Sequence, residues 1–293
     1  GYAPNTGFAL TDYLVKKKGY PGQEILDAGL GTMRGRGVGD FFLGRIMFPL
    51  TDHRENIVGF SGRTFTDGAF GPKYMNTRET LVYHKGEMFY GLLTAKEAMK
   101  KENQVVIVEG EFDVIACFRE GITNVVAIKG TALTEPQVKL LSRFVQKVTM
   151  CLDGDNAGQE AMKRSLAVLE PKGLTTTVVV IPSGKDPDEA LKTDPGAFKA
   201  AVKNDVPVYD YLMDLMLTTH DISAIEGKKT AGDELLALFS RIENEIIKEH
   251  YIKKLSKLLD TTYESLLREI GRLTKRDRVQ AMPLAAPKAK MTR

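Results

Sequence analysis

The sequence predicts a chain of mixed architecture: an α/β unit on a parallel sheet, preceded by an α+β segment and followed by a helical bundle. Three observations lead there. Between about residues 103 and 181, short apolar runs alternate with stretches of helical length, the pattern of β-α-β units. The first hundred residues are instead rich in glycine and aromatics, in short runs bounded by Gly, Pro and Asp, which read as strands and turns. Beyond Pro207 apolar residues recur at helical spacing, with no strong strand pattern.

Taken in order, Gly7 to Leu30 reads as helical in patches, with Lys16, Lys17 and Lys18 on the polar side. Arg45-Ile46-Met47-Phe48-Pro49-Leu50 and Ile57-Val58-Gly59-Phe60 read as strands. The middle unit predicts strands at Val105–Val108, Val125–Ile128, Val148–Leu152 and Thr177–Ile181. Helices are expected at Phe112–Arg119, Glu135–Val145 and Ala157–Leu169. Leu235, Phe239, Ile242 and Ile246, then Tyr251, Ile252, Leu255 and Leu258, form the apolar stripes of a bundle. Thr261 with Glu264 has the spacing of a capping box opening a last helix to Leu273. From Lys275 the chain is basic and Ala/Pro-rich and reads as a disordered tail or linker. The expected boundaries are 1–102, 103–190, 191–274 and 275–293.

The bulk properties set bounds. With 293 residues, 43% hydrophobic and 27% charged, the chain is long enough for two or three cores. No apolar run approaches the roughly 18 residues of a membrane span. Cys117 and Cys151 are the only cysteines and lack C-x-x-C spacing, which excludes a disulfide framework and predicts a reduced, cytoplasmic setting. His53, His84, His220 and His250 form no metal spacing. The start at Gly1, without Met, reads as a trimmed fragment. The net charge of +3 divides unevenly: residues 1–100 carry +3, residues 101–205 carry −2 and residues 206–293 carry +2. An acidic middle between basic segments suits an anionic substrate held near metal ions.

Acids stand where strands end. Glu109 follows Val105-Val106-Ile107-Val108, and Asp153 and Asp155 follow Met150-Cys151-Leu152. In extended backbone, positions two apart face one side, so Asp153 and Asp155 can address one ion. If the two strands are neighbours, Glu109 joins them at the crevice outside the strand ends. Three such carboxylates suit Mg²⁺ or Mn²⁺ and phosphoryl displacement. Other readings of the loop fail. Asp153 to Gly158 begins like an EF-hand but has Ala157 at its fifth position and Arg164 where a Glu is required. Gly227-Lys228-Lys229-Thr230 lacks P-loop spacing.

Glu109-Gly110-Glu111-Phe112-Asp113 and Asp153-Gly154-Asp155-Asn156-Ala157-Gly158 resemble the E-G-x-x-D and D-x-D-x-x-G signature of the Toprim domain. That domain serves primases, topoisomerases and nucleases. Flanking segments resemble the bacterial DnaG-type primases in order. They include Gly1-Tyr2-Ala3-Pro4, Arg45 to Leu50, Gly59 to Arg63, Pro72-Lys73-Tyr74-Met75-Asn76, His84-Lys85-Gly86, Gly130 to Thr134 and Gly184 to Glu189.

The resemblance implies a central Toprim domain with a Rossmann-like parallel sheet. It implies synthesis of short RNA primers on single-stranded DNA by metal-dependent nucleotidyl transfer, for replication. Glu109, Asp153 and Asp155 would be the metal carboxylates, with Asp113, Asp186 and Asp188 as further acids around them. Asp186 and Asp188 also read as an ordinary helix start at Asp-Pro-Asp-Glu. Arg45, Arg63, Lys73, Tyr74, Asn76 and Lys85 match the family's nucleotide- and template-binding face. The implied partners are single-stranded DNA, ribonucleoside triphosphates, the RNA primer and the replicative helicase, at the replication fork in the bacterial nucleoid. The zinc-binding domain and the helicase-binding domain of the family are expected outside this chain. Lys129 stands where the family more often has Leu, and reads as a possible extra phosphate contact. The rival readings are another Toprim enzyme, a topoisomerase or nuclease, and an inactive single-strand-binding module.

Overall fold

The computed structural model describes residues 1–64, 71–130 and 132–280. They divide into two units, Gly1–Asp205 and Val206–Arg293. Thr131, inside the Gly130–Thr134 motif, lies outside the described residues, as do 281–293 of the expected tail.

In the first unit the chain opens with β1 (Tyr2–Ala3), then α1 (Ala9–Asp12), which passes into a π-helical stretch at Tyr13–Lys17, and α2 (Gly22–Asp27). A hairpin of β2 (Gly31–Arg34) and β3 (Gly37–Asp40) follows, then β4 (Arg45–Thr51), β5 (Ile57–Arg63) and β6 (Tyr74–Asn76). The buried Asp40 carboxylate anchors the start of the chain, accepting the Thr11 hydroxyl at 2.6 Å and the Thr11 and Leu10 N–H groups. The sheet runs β1-β4-β5-β6 and is antiparallel. Its Phe48 meets the Phe112 ring edge-on at 5.6 Å, which seats this sheet against the segment that follows Glu109.

The second half of the unit alternates helices and strands as predicted. It comprises α3 (Leu92–Glu102), β7 (Gln104–Val108), α4 (Glu111–Arg119), β8 (Val125–Ala127) and α5 (Glu135–Leu141). It continues through β9 (Lys147–Met150), α6 (Asn156–Leu169), β10 (Thr175–Val178), α7 (Pro187–Thr193) and α8 (Pro195–Lys203). The strands lie in the order β10-β9-β7-β8, all parallel. Val105 to Val108 are almost fully buried, as expected for a parallel strand covered on both faces.

Several boundaries differ from the sequence expectation. The ladder of β10 with β9 pairs Thr175 with Lys147 and Val178 with Met150, so the strand lies earlier than Thr177–Ile181. Pairing with β9 sets its place, and Val180 beyond it is half exposed. The expected break at 190 also moves. Ala190, Leu191 and Phe198 are buried in one cluster with Val114 and Cys117, so α7 and α8 belong to the sheet's core and the unit runs to Asp205.

The second unit holds α9 (Val208–Thr219), α10 (Ile225–Phe239), α11 (Glu245–Leu258) and α12 (Tyr263–Gln280). Tyr209, Phe239 and Tyr251 pack their rings within 6 Å of one another. Asp210 accepts Lys254 Nζ at 2.6 Å and the Tyr251 hydroxyl at 3.2 Å. Ile246, placed on the apolar stripe by its spacing, is 81% exposed, because Asn244 caps α11 and leaves Ile246 in the first turn. The start of α12 is capped by Thr262, whose hydroxyl accepts the Ser265 N–H, so the cap falls one residue after Thr261. No Gly or Pro interrupts Leu273 to Gln280, and the helix continues past the expected tail boundary at 275. Among the described residues no helix is long and apolar enough to cross a membrane.

Candidate active site

Adjacent parallel strands bring the carboxylates together. Because β7 and β9 pair, with Ile107 opposite Met150, the residues just beyond their carboxyl ends become neighbours. Glu109 Oε1 accepts the Asp153 backbone N–H at 3.2 Å. The turn after Asp153 is tight enough that a Cβ on Gly158 would stand 2.1 Å from the Asp153 carbonyl oxygen, which requires glycine there.

Asp113 is 7% exposed. Its carboxylate accepts the Gly110 N–H at 3.0 Å and the Asp188 N–H at 3.3 Å, linking the starts of α4 and α7. Asp186 caps α7 through the Glu189 N–H at 2.8 Å. The ordinary helix-start reading of Asp186 therefore holds, while the same side chain also lines the cleft. Asp188 lines it too and is paired with Lys192 at 2.6 Å. Asp155 is not among the lining residues; its carboxylate caps α6 through the Gly158 N–H at 2.8 Å.

Together Glu109, Asp113, Asp153, Asp186 and Asp188 form the acidic side of a cleft of about 540 Å³. Crowding shows in their proton affinities. Burial first, then the charges of Glu109, Asp113, Asp186 and Asp155, push the Asp153 carboxyl up to about 7. Burial pushes Asp113 up to about 6, with Asp186 and Asp188 adding to it. Burial also raises Glu109, although the Asp153 N–H opposes it.

The buried Asp153 Oδ1 has no hydrogen-bond partner among the described residues. An unpartnered carboxylate oxygen among like charges is chemically suited to a hard divalent cation. Among the described residues no three such side chains already enclose one point as a metal cage.

The opposite side of the cleft comes from β5, β6 and the segment before β6. Arg63, Lys73, Tyr74 and Asn76 all line it. The Arg63 guanidinium lies 3.9 Å from the Phe112 ring centre and 5.3 Å from that of Tyr74, a cation–π seat that holds it in place. Burial raises the Tyr74 hydroxyl's pKa, with Arg63 opposing.

Two expected residues stand elsewhere. Arg45 is 2% exposed and donates to the Gly62 and Lys73 carbonyls. This corrects its assignment to the nucleic-acid face: position one of β4 points it into the sheet's packing, where it braces β5 against the segment leading to β6. Lys85 is not a lining residue; its backbone N–H and the His84 ring both bind Glu79, so His84 has the local hydrogen-bonding role.

Sequence reasoning missed Glu111, Phe112, Glu189 and Lys192 in the lining. The i,i+4 spacing of Asp188 and Lys192 was the available signal for that pair. Glu111, 3% exposed, is ion-paired with Lys129, whose side chain is 8% exposed. Burial, with the Lys85 charge, pushes the Lys129 ammonium pKa down.

Residues 1–96 match the family described as the N-terminal domain of the DNA primase catalytic core, and residues 106–191 match the Toprim-like family. Residues 209–262 match the DnaB-helicase binding domain of primase. That match corrects the expectation that a segment of this kind lies wholly outside the chain.

A DNA primase of Clostridium acetobutylicum is 36% identical over 259 residues, covering 87% of this chain and 42% of that protein. The chain thus spans about two-fifths of the length of the curated relatives it matches. A DNA primase domain from Pseudomonas aeruginosa superposes with a TM-score of 0.79 at 31% identity, covering 92% of this chain and 86% of that one. A DnaG primase catalytic domain bound to single-stranded DNA superposes with a TM-score of 0.76 at 31% identity, covering 90% and 84%.

Proposed function

This chain belongs to the bacterial DnaG-type primases, and from that membership and the cleft we propose that it copies single-stranded DNA into short RNA primers by nucleotidyl transfer. The observation that carries the reading is the Glu109–Asp153 contact at the floor of a cleft whose other side presents Arg63 and Lys73. The family is metal-dependent, and Glu109 and Asp153 are the residues placed to hold Mg²⁺ or Mn²⁺, with Asp155 able to join them by releasing α6. A divalent ion there supplies Lewis acidity and clamps phosphate oxygens for an in-line displacement.

The chain's own residues do the rest. Arg63 and Lys73 neutralise phosphate charge on the template or the incoming nucleotide. The Tyr74 ring, held beside Arg63, offers a flat face for a base. The Asn76 Oδ1, buried without a partner among the described residues, is free to accept a hydrogen bond from sugar or base. Asp113, tied to the Gly110 and Asp188 N–H groups, keeps the loop after Glu109 in register with α7. In the reaction the primer's 3′-hydroxyl gives up its proton to solvent water and its oxygen bonds to the α-phosphorus of a ribonucleoside triphosphate. The bond to the bridging oxygen breaks, and pyrophosphate leaves.

Single-stranded DNA, ribonucleoside triphosphates and the RNA primer are the partners this chemistry requires. Residues 209–262 make the replicative helicase a further one through the second unit, and the bacterial cytoplasm is the setting such partners imply. The test is to incubate the chain with single-stranded template, labelled ribonucleotides and Mg²⁺ or Mn²⁺. Template-dependent RNA supports the reading. DNA cleavage or relaxation without RNA points to another Toprim enzyme, and binding alone to an inactive module.

A further inference from the structure

Sheet order places a cation in line with the two acids. In the order β9-β7-β8, Asp153 follows β9, Glu109 follows β7 and Lys129 follows β8. All three strands are parallel, so these residues stand in a row along one edge of the sheet, about 4.8 Å apart per step. Lys129 lines the same cleft as the acids. An anion spanning from Glu109–Asp153 along this row meets Lys129 next.

The position of Lys129 is fixed at both ends. Its backbone lies in the left-handed region, φ +54°, where an L side chain costs about 1–2 kcal/mol. Its N–H donates to the Glu109 carbonyl at 3.3 Å, and the Ile128 N–H donates to Val108 at 3.1 Å, tying the end of β8 to the end of β7. The side chain is nearly enclosed and paired with the buried carboxylate of Glu111. An ammonium has three donors, and Lys129 lines the cleft. Among the other lining cations, Lys192 is engaged by Asp188, Arg63 is stacked on Phe112, and Lys73 stands 6.0 Å from the Tyr74 ring centre on the opposite side of the cleft.

We propose that Lys129 binds the triphosphate of the incoming ribonucleoside triphosphate, and that Glu111 is the residue that positions it. This rests on the nucleotidyl-transfer reading above. A triphosphate is a polyanion, and a rigid ammonium one strand along from Glu109 is placed to take up part of its charge.

The experiment compares wild type with the charge-neutral pair Glu111→Gln/Lys129→Met, which leaves no buried charge unpaired. In primer synthesis the KM for ribonucleotide should rise about tenfold to a hundredfold, the range for a charge-assisted hydrogen bond. At the same time kcat and template affinity should stay within about twofold. An unchanged KM, or a loss confined to kcat, overturns the proposal.

Wild-type protein gives a second reading that does not depend on folding of the variant: pyridoxal phosphate with borohydride, mapped by mass spectrometry, with and without ATP and Mg²⁺. Labelling of Lys129 that ATP blocks supports the assignment; labelling that ATP leaves undiminished overturns it. If wild type makes no primer, the functional reading fails on its own, and the labelling still decides whether Lys129 meets a triphosphate.

Discussion

Glu109 and Asp153 lie 44 positions apart in the chain, yet the Glu109 carboxylate accepts the Asp153 backbone N–H at 3.2 Å. The contact exists because β7 and β9 are adjacent and parallel. It sets two acids side by side in a half-buried cleft, an arrangement that disfavours folding unless a proton or a cation intervenes.

The pH dependence of the metal-free protein should reveal this. Asp153 is pushed up to about 7 and Asp113 to about 6 in the folded state, from ordinary values of 3.8. The native state therefore holds these protons more tightly than the unfolded chain does. The stability they contribute is full below about pH 4 and is lost as pH rises through 6 to 7. Thermal melts without metal should show a lower midpoint at pH 8 than at pH 5.5. Asp153→Asn should raise the midpoint at pH 8 and remove much of the difference. Mg²⁺ should stabilise wild type at pH 8 and have little effect on Asp153→Asn.

Arg45 and Arg63 should separate cleanly. Arg45→Met removes the donor to the Gly62 and Lys73 carbonyls and should destabilise the fold by about 1–3 kcal/mol, read by denaturant unfolding. Arg63→Ala with Lys73→Ala should leave the melting midpoint nearly unchanged. That pair should instead flatten the salt dependence of template binding by about 0.7–1 per lost phosphate contact. An unchanged slope would return both residues to the ordinary surface or to triphosphate binding alone.

At the opposite edge of the sheet, Asp205 collects four partners. Its carboxylate accepts Gln104, Lys147, Thr149 and Thr177 at 2.8–3.0 Å, and its side chain is 7% exposed. Asp205→Ala leaves those donors unmatched and should cost about 2–4 kcal/mol in denaturant unfolding. Asp205→Asn, which keeps an acceptor, should cost less. A loss within error for Asp205→Ala would show that water replaces the carboxylate.

Much of this was legible in the chain, for identifiable reasons. The alternation of apolar runs with helical stretches fixes the parallel sheet, and acids directly after those runs must emerge at its carboxyl edge. That reasoning reaches Glu109 and Asp153 without tertiary information, and the motif positions add Arg63, Lys73, Tyr74 and Asn76. It fails for Arg45, because a motif position does not say which way a side chain points; the packing of β4 against β5 decides that. It also puts Asp155 beside Asp153 at one ion, whereas its carboxylate accepts the Gly158 N–H, caps α6 and does not line the cleft; the two-residue spacing does not reveal that local hydrogen bond. Glu111 was not singled out, because its partner Lys129 stands 18 positions later, just past the end of the neighbouring strand β8. The cap at Thr262 and the end of α12 at Gln280 depend on hydrogen bonds and propensities that differ little between adjacent residues.

The most direct measurement is primer synthesis by Glu109→Gln and Asp153→Asn beside wild type. It would use a single-stranded template, labelled ribonucleotides and Mg²⁺, with circular dichroism confirming that each variant is folded. Removal of a charge that stabilises the transition state should lower the rate of RNA synthesis by about 100-fold or more, with template affinity nearly unchanged. Folded variants that both make primer within about threefold of the wild-type rate would contradict the assignment of the chemistry to this pair.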